Sequence, residues 1–301
     1  MKLKVFLLSI ILAGVSALNL NAQITVLSGP EEASNYKIAE DINKILGAGG
    51  KALIVNKKSN GVAENFQELT DPDNPVKVAF MQLDYLTFMK AQDLKQKTNK
   101  TASLKVIIPL SIEEIHFLTK KSSGLKKLSD LDTTTIVAIG GIKSGTYATA
   151  QWIKDGSKIY WKSRNLNFND AIKALAFDEV QVMAFVSSAP IPLIDLQPLM
   201  IKPDNMPTLI EMENIGGWAN YYEPVTFTPA MYQWLDQSIS GFGVRTVLVV
   251  NEAKVTPAER ESIQQLGSQI KSGLTKLREK GHPAWNTVDF SKWDPKSWPM
   301  Y

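Results

Sequence analysis

Ile136-Val-Ala-Ile-Gly-Gly-Ile-Lys-Ser-Gly-Thr146, continued through residues 147–154, reads as a buried strand, a glycine turn and a helix. The run 136–139 is short, apolar and β-branched, as in a strand covered on both faces. Gly140 and Gly141 allow a sharp turn. Ser144 then stands where a helix N-cap belongs, with Gly145 and Thr146 in the first turn. The first backbone N–H groups of a helix have no internal partner and carry a partial positive charge. Such an end either is simply capped by its serine or receives a small anion.

Outward from this unit, the chain repeats the same pattern. Strand signals at 24–27, 52–55 and 76–81 alternate with helix signals at 35–46, 62–69 and from 85 onward. This β-α-β-α order predicts a parallel sheet with helices on its faces, and ligands at the carboxyl ends of its strands. The loops 28–35, 56–61 and 82–85 are the ones so placed. Beyond them, strands are expected at 105–110 and 115–119, separated by Ser111 and the pair Glu113-Glu114. A second α/β block follows: strands near 159–161 and at 180–186, a helix over 169–177, and another helix opened by Ser187-Ser-Ala-Pro190. Residues 203–243, rich in aromatics, proline and glycine, have no assignable period. A strand is predicted at 244–250 and a helix at 256–280, with Thr256 as cap and Pro257 in its first turn. The Trp- and Pro-rich tail after His282 is expected on the surface of a lobe.

Composition narrows the functional classes. Lys2 and Lys4, an apolar core over 5–15 and Leu20-Asn-Ala22 follow the plan of a secretory signal peptide, residues 1–22. Its removal takes the net charge from +3 to +1, which gives no basis for binding nucleic acid. With no cysteine there is no disulfide, thiol nucleophile or lipid-anchoring cysteine, and two histidines make a histidine metal site unexpected. The expectation is therefore a periplasmic protein that is not lipid-anchored, without metal or cofactor. The sequence contains no Walker loop, dinucleotide fingerprint or nucleophile elbow. Glu113 and Glu114 are neighbours and would face opposite sides of a strand, which argues against a paired-carboxylate acid/base site. His116, flanked by Ile115 and Phe117, reads as a hydrogen-bonded structural histidine. Two α/β blocks with polar loops at strand ends imply a ligand clamp, closing about two crossing segments at 110–112 and roughly 237–243.

Several motifs, in order, carry a family resemblance. These are Ser28-Gly29 with Tyr36; Gly61 with Asn65; Gln82-x-Asp84; Glu113-x-x-His116; Ser129-Asp-Leu131, Gly140 and Ser144-Gly-Thr146; then Pro190, Val247-Leu-Val-Val250 and His282-Pro283. Across about residues 25–285 the sequence resembles the TAXI-type solute receptors of TRAP transporters. The resemblance implies a two-lobed type II periplasmic-binding-protein fold, each lobe a mostly parallel sheet flanked by helices. It implies lobe one at 23–110 plus 241–301 and lobe two at 111–240. It also implies a monomeric receptor, not an enzyme, that clamps a small organic acid or amino acid-like solute. The receptor delivers that solute to integral membrane transporter subunits. Tyr36, Asn65, Gln82, Ser144 and Thr146 would line the cleft, Gly61 and Gly145 would approach a ligand carboxylate, and Glu113 would stand at the crossing.

The chain departs from that pattern in ways that bear on the ligand. Glu32-Ala33, beside Glu31, stand where paired glycines belong, Val62 replaces a serine, and Asp132-Thr-Thr-Thr135 replaces a glycine and lysine. Like charges about 4 Å apart cost several kcal/mol at an effective dielectric of about 20, so carboxylates at the cleft oppose an anion. The expected ligand is thus neutral, zwitterionic or cationic at one end. Two further readings are a ligand-free interaction module using the aromatic 218–234 region and, with less support, an enzyme on the same fold.

Overall fold

The computed structural model describes residues 23–31, 33–47, 53–142, 144–191, 197–200 and 206–301. The expected signal peptide and Glu32 lie outside the described residues.

The chain alternates as read. Strand β1 (Ile24–Leu27) leads to helix α1 (Ser34–Asp41), which continues as one π-turn over Ile42–Leu46. Then come β2 (Ile54–Lys57), α2 (Val62–Thr70), β3 (Val78–Gln82) and α3 (Leu83–Gln96). β1 pairs in parallel with both β2 and β3, the arrangement that βαβ connections produce. β3 passes into α3 without a loop, because Gln82 itself takes the extended N-cap conformation.

The next element differs from expectation. The two strands predicted on either side of Glu113-Glu114 are one strand of 17 residues, β4 (Leu104–Lys120). Polar Ser111, Glu113 and Glu114 interrupt its apolar run but not its ladder, and all three are buried. After it come β5 (Ile136–Ala138), α4 (Gly145–Ser157), β6 (Lys162–Arg164), α5 (Phe168–Ala176) and β7 (Val182–Ser187). β5 pairs in parallel with β6 and β7. Among the described residues no helix opens over 187–191, where one was predicted: Ser187 closes β7 and the Ala189–Pro190 peptide is cis. A four-residue helix, α6 (Gln197–Met200), follows.

The segment without a readable period holds β8 (Pro207–Leu209), a 3₁₀ stretch over Ile215–Tyr221 and β9 (Glu223–Phe227). These strands are short and defined by partners far away in sequence: β8 on β4, β9 on β10 (Ile239–Asn251). The sheet order is β2-β1-β3-β10-β4-β7-β5-β6. β4 and β10 are antiparallel to each other and run from one half of the sheet into the other. β10 leaves β9 at Gly243 and joins β3 at Thr246, and β4 takes up β7 from Glu114. A polar cluster binds the two strands at this crossover. Thr246 Oγ1 donates to Ser111 O at 3.0 Å, Arg245 Nη1 to Leu110 O at 2.9 Å, and Arg245 Nη2 to Glu223.

The long helix α7 (Pro257–Lys280) has a Thr256/Glu259 capping box and Pro257 in its first turn. It packs Ile263, Leu266, Ile270 and Leu277 against the first half of the sheet. The tail is more than a surface covering. Trp285 is fully buried in that same core, and Trp298 is buried on the opposite face, with its Nε1 donating to Leu104 O at 3.0 Å.

Candidate functional site

Each half of the sheet brings strand ends and helix starts to the crossover. From the first half come the end of β1, the loop after β2, Gln82 at the end of β3, and Asn35 in the first turn of α1. From the second come the end of β5, the first turn of α4 and the end of β7.

The organising stretch behaves as its composition requires. Gly140 adopts φ +79°, and Ser144 Oγ accepts from Tyr147 N at 3.1 Å, capping α4. Thr146 Oγ1 accepts from Val186 N at 3.1 Å, tying α4 to β7. Gly145 faces the other half: a Cβ there would lie 2.0 Å from Gln82 Oε1. The two halves therefore touch at Gly145, and any larger residue there would have to push the Gln82 amide aside.

In the first half, Gly61 has φ +116° and starts α2. Asn65 is buried and ties three segments together. It accepts from Ser59 Oγ at 2.5 Å and donates to Phe80 O at 2.8 Å and Ser28 O at 3.4 Å. Its amide is engaged within the first half and shapes the loop ends. Tyr36 is half-buried, and its backbone carbonyl accepts from Asn56 Nδ2 at 3.3 Å.

At the crossover, Glu113 and Glu114 point to opposite faces of β4 and meet different partners. Glu113 accepts from Gln82 Nε2 at 2.8 Å on Oε2 and from Asn35 Nδ2 at 3.4 Å on Oε1. Glu114 Oε2 accepts from Ala189 N at 2.7 Å, next to Ser188. Burial is the largest cause pushing the Glu113 carboxyl up to about 7; the Gln82 bond opposes it, and the charges of Glu114 and Asp84 add to it. Burial also takes Glu114 to about 7, against its backbone hydrogen bonds. Among the ion pairs of the described residues, none involves Glu113, Glu114 or Asp84.

His116 is structural, as read. It stacks on Phe185 with ring centroids 4.3 Å apart. Its Nδ1 sits 2.9 Å from the Glu114 carbonyl, which only accepts, so Nδ1 carries the proton. Nε2 then accepts from Tyr232 Oη at 2.8 Å, and Tyr232 Oη accepts from Ile191 N at 3.1 Å. Burial drives the imidazole down to about 3, so it stays neutral.

A second contact between the halves was not among the candidates. Asp84, in the first turn of α3, accepts on Oδ2 from Thr149 Oγ1 of α4 at 2.6 Å and from Tyr222 Oη at 2.9 Å. Burial raises its pKa, offset by these hydrogen bonds. The Gln-x-Asp motif pointed to Asp84; nothing in the sequence pointed to Thr149 or Tyr222. Three buried polar atoms at the crossover have no hydrogen-bond partner: Asn35 Oδ1, Gln82 Oε1 and Ser188 Oγ. A groove of about 370 Å³ lies elsewhere, between α7 and the tail, lined in part by Pro109, Lys271, Trp293 and Tyr301. It shares no residue with the crossover. Among the described residues, no group of histidine, aspartate and glutamate is arranged to hold a metal.

Residues 28–265 match the NMT1-like family. Among solved structures, MatC from Rhodopseudomonas palustris with bound malate is 15% identical, covering 85% of this chain and 86% of that one, with a TM-score of 0.52. XAC2383 from Xanthomonas citri bound to ATP is 11% identical, covering 92% and 93%, with a TM-score of 0.51. No curated protein matches the chain. At such identities the likeness is one of fold. The chain has the two-lobed α/β fold of periplasmic binding proteins, with β4 and β10 as the crossing segments.

Proposed function

The chain belongs to the NMT1-like family, and from its fold and its crossover we propose that it is a periplasmic solute-binding receptor. It clamps a small organic solute, an organic acid or amino acid-like molecule, between two lobes and hands it to a membrane transporter of TRAP type. In this reading residues 23–110 with 241–301 form one lobe and residues 111–240 the other. The protein acts as a monomer without cofactor or catalysis. Tyr36, Gly61, Asn65, Gln82, Glu113, Ser144, Gly145 and Thr146 border the site.

One observation carries the reading. Three of the six buried side-chain polar atoms without partners among the described residues, Asn35 Oδ1, Gln82 Oε1 and Ser188 Oγ, lie where strand ends of both halves meet, the others being Trp161 Nε1, Trp293 Nε1 and Tyr301 Oη, and nearly all buried polar groups in native proteins are satisfied. A ligand between the halves supplies the missing partners. The Asp84 bonds to Thr149 and Tyr222 close the same seam and support a clamp. Catalysis finds no support in the geometry: Glu113 and Glu114 face apart, and His116 is sealed within the second half.

Native mass spectrometry of the protein purified gently from periplasm tests this. The expected result is one small organic molecule per chain, released on denaturation. An empty protein that also shows no thermal shift across a broad panel of organic solutes would overturn it.

A further inference from the structure

We propose that the solute carries a primary ammonium group and that Glu113, Gln82 and Asn35 hold it; this deepens the receptor reading and rests on it. An alkylammonium offers three donors, no acceptor and a full positive charge. Its complement is a set of converging acceptors bearing negative charge, with no donor left over.

The crossover has that composition. Asn35 and Gln82 both turn their amide nitrogens to the Glu113 carboxylate, one to each oxygen. One N–H of each amide is thereby engaged, and neither carbonyl oxygen accepts a hydrogen bond. Both carbonyl oxygens, Asn35 Oδ1 and Gln82 Oε1, are buried and unpartnered. Gln82 is 7% exposed and Glu113 5%, so solvent does not satisfy them from outside. The Gln82 oxygen lies against Gly145, on the face that the first half presents to the second. Two unpartnered acceptors flank one buried carboxylate, and what they lack is donors.

The charge balance selects which donor. The charges acting on Glu113 are those of Glu114 and Asp84, both of which oppose its ionisation. A carboxylate or phosphate placed beside Glu113 would add a further like charge. A hydroxyl group would satisfy one acceptor and leave the buried charge uncompensated. An ammonium group fills the acceptors and neutralises the carboxylate together, so at neutral pH its arrival also drives a proton off Glu113.

Titration calorimetry on ligand-stripped protein decides the matter. The probes are L-amino acids, each matched with the 2-hydroxy acid of the same side chain, together with putrescine and the dicarboxylates succinate and malate. Binding should be confined to probes with a primary ammonium group, and the hydroxy partner of the tightest should bind about 30-fold or more weakly. Glu113→Gln should weaken that probe by a similar factor while its circular dichroism is unchanged. A hydroxy acid or dicarboxylate that binds as tightly as its amino counterpart overturns the ammonium assignment and leaves the receptor reading in place. Unchanged affinity in Glu113→Gln does the same. The matched-probe comparison needs no variant, so it decides even if the substitution fails to fold. If no probe binds and the purified protein carries no small molecule, the receptor reading falls and the assignment with it.

Discussion

The carboxyl of Glu113 should be a measurable burden on the empty protein, and Glu113→Gln should remove it. The side chain is 5% exposed, and burial takes its pKa from 4.5 to about 7. A pKa unit corresponds to about 1.4 kcal/mol, so the folded chain loses about 3 kcal/mol at alkaline pH relative to a neutral side chain. The sign follows from linkage. The folded state binds this proton more tightly than the unfolded state, so its stability contribution is complete below about pH 4.5 and is lost as pH rises through about 7. Glutamine has nearly the same shape and never ionises. Rotation of the Gln82 amide presents its oxygen to the new amide and keeps the pairing. Urea denaturation of protein stripped of ligand, at pH 5 and pH 8.5, measures the effect. The stability gap in favour of the variant should widen by about 2–3 kcal/mol between the two conditions. Parallel profiles for the two proteins would refute the reasoning, because they would mean that Glu113 ionises in the folded state as freely as in water.

Three other substitutions address separate parts of the argument. Gly145→Ala places a methyl 2.0 Å from Gln82 Oε1 and pushes the Gln82 amide off its bond to Glu113; it should weaken binding of the solute about 10-fold or more in calorimetry, and unchanged affinity would mean that Gln82 is not needed in that position in the bound state. Asp84→Ala removes the acceptor for Thr149 and Tyr222; a hydrogen bond contributes about 0.5–1.5 kcal/mol, so the empty protein should open more readily and its radius of gyration in small-angle X-ray scattering should rise, an identical scattering curve counting against a latch. Trp285→Ala should destabilise by about 3–5 kcal/mol, the usual cost of truncating a fully buried Trp, and a loss below about 1 kcal/mol in denaturation would return the tail to the surface.

The elements that could be read from the sequence are those whose signals are local. The β-branched run at 136–139, the Ser144 cap and the Thr256-Pro257 start all depend on neighbours within a few residues, and each produced the expected element. β4 was divided because Ser111, Glu113 and Glu114 look like a loop when the criterion is apolar continuity. They are polar because the strand there leaves one half and enters the other, with Glu113 turned to Gln82 rather than to an apolar core. Strands β8 and β9 could not be read, since three to five residues show no period and their partners lie on β4 and β10. The same limit applies to the site. Gln82, Glu113 and the Ser144–Thr146 turn were visible as residues at strand and helix ends. The Asp84 contacts join residues 65 and 138 positions apart, and no spacing rule brings those together.

The crossover is costly in the way a ligand site should be. Glu113, Glu114 and Asp84 are buried close to one another, with no cation paired to them among the described residues. Two amide carbonyls beside Glu113 have no donor. The buried carboxyl of Glu113 and the two unpartnered carbonyls destabilise the empty protein, and a neutral group in place of Glu113 would relieve it; Asp84 differs, because Thr149 and Tyr222 both donate to it. None is needed to hold the sheet together, because the β4–β10 ladder is secured separately by Ser111, Thr246 and Arg245. The distinction separates a structural polar network from a site. In the Ser111–Thr246 cluster each group named has a partner within the chain, so its removal should only weaken the fold. At Glu113 the partners are incomplete, so removing the charge should stabilise the empty protein and impair binding. Opposite signs for stability and affinity in a single substitution would identify Glu113 as part of the site more firmly than either measurement alone.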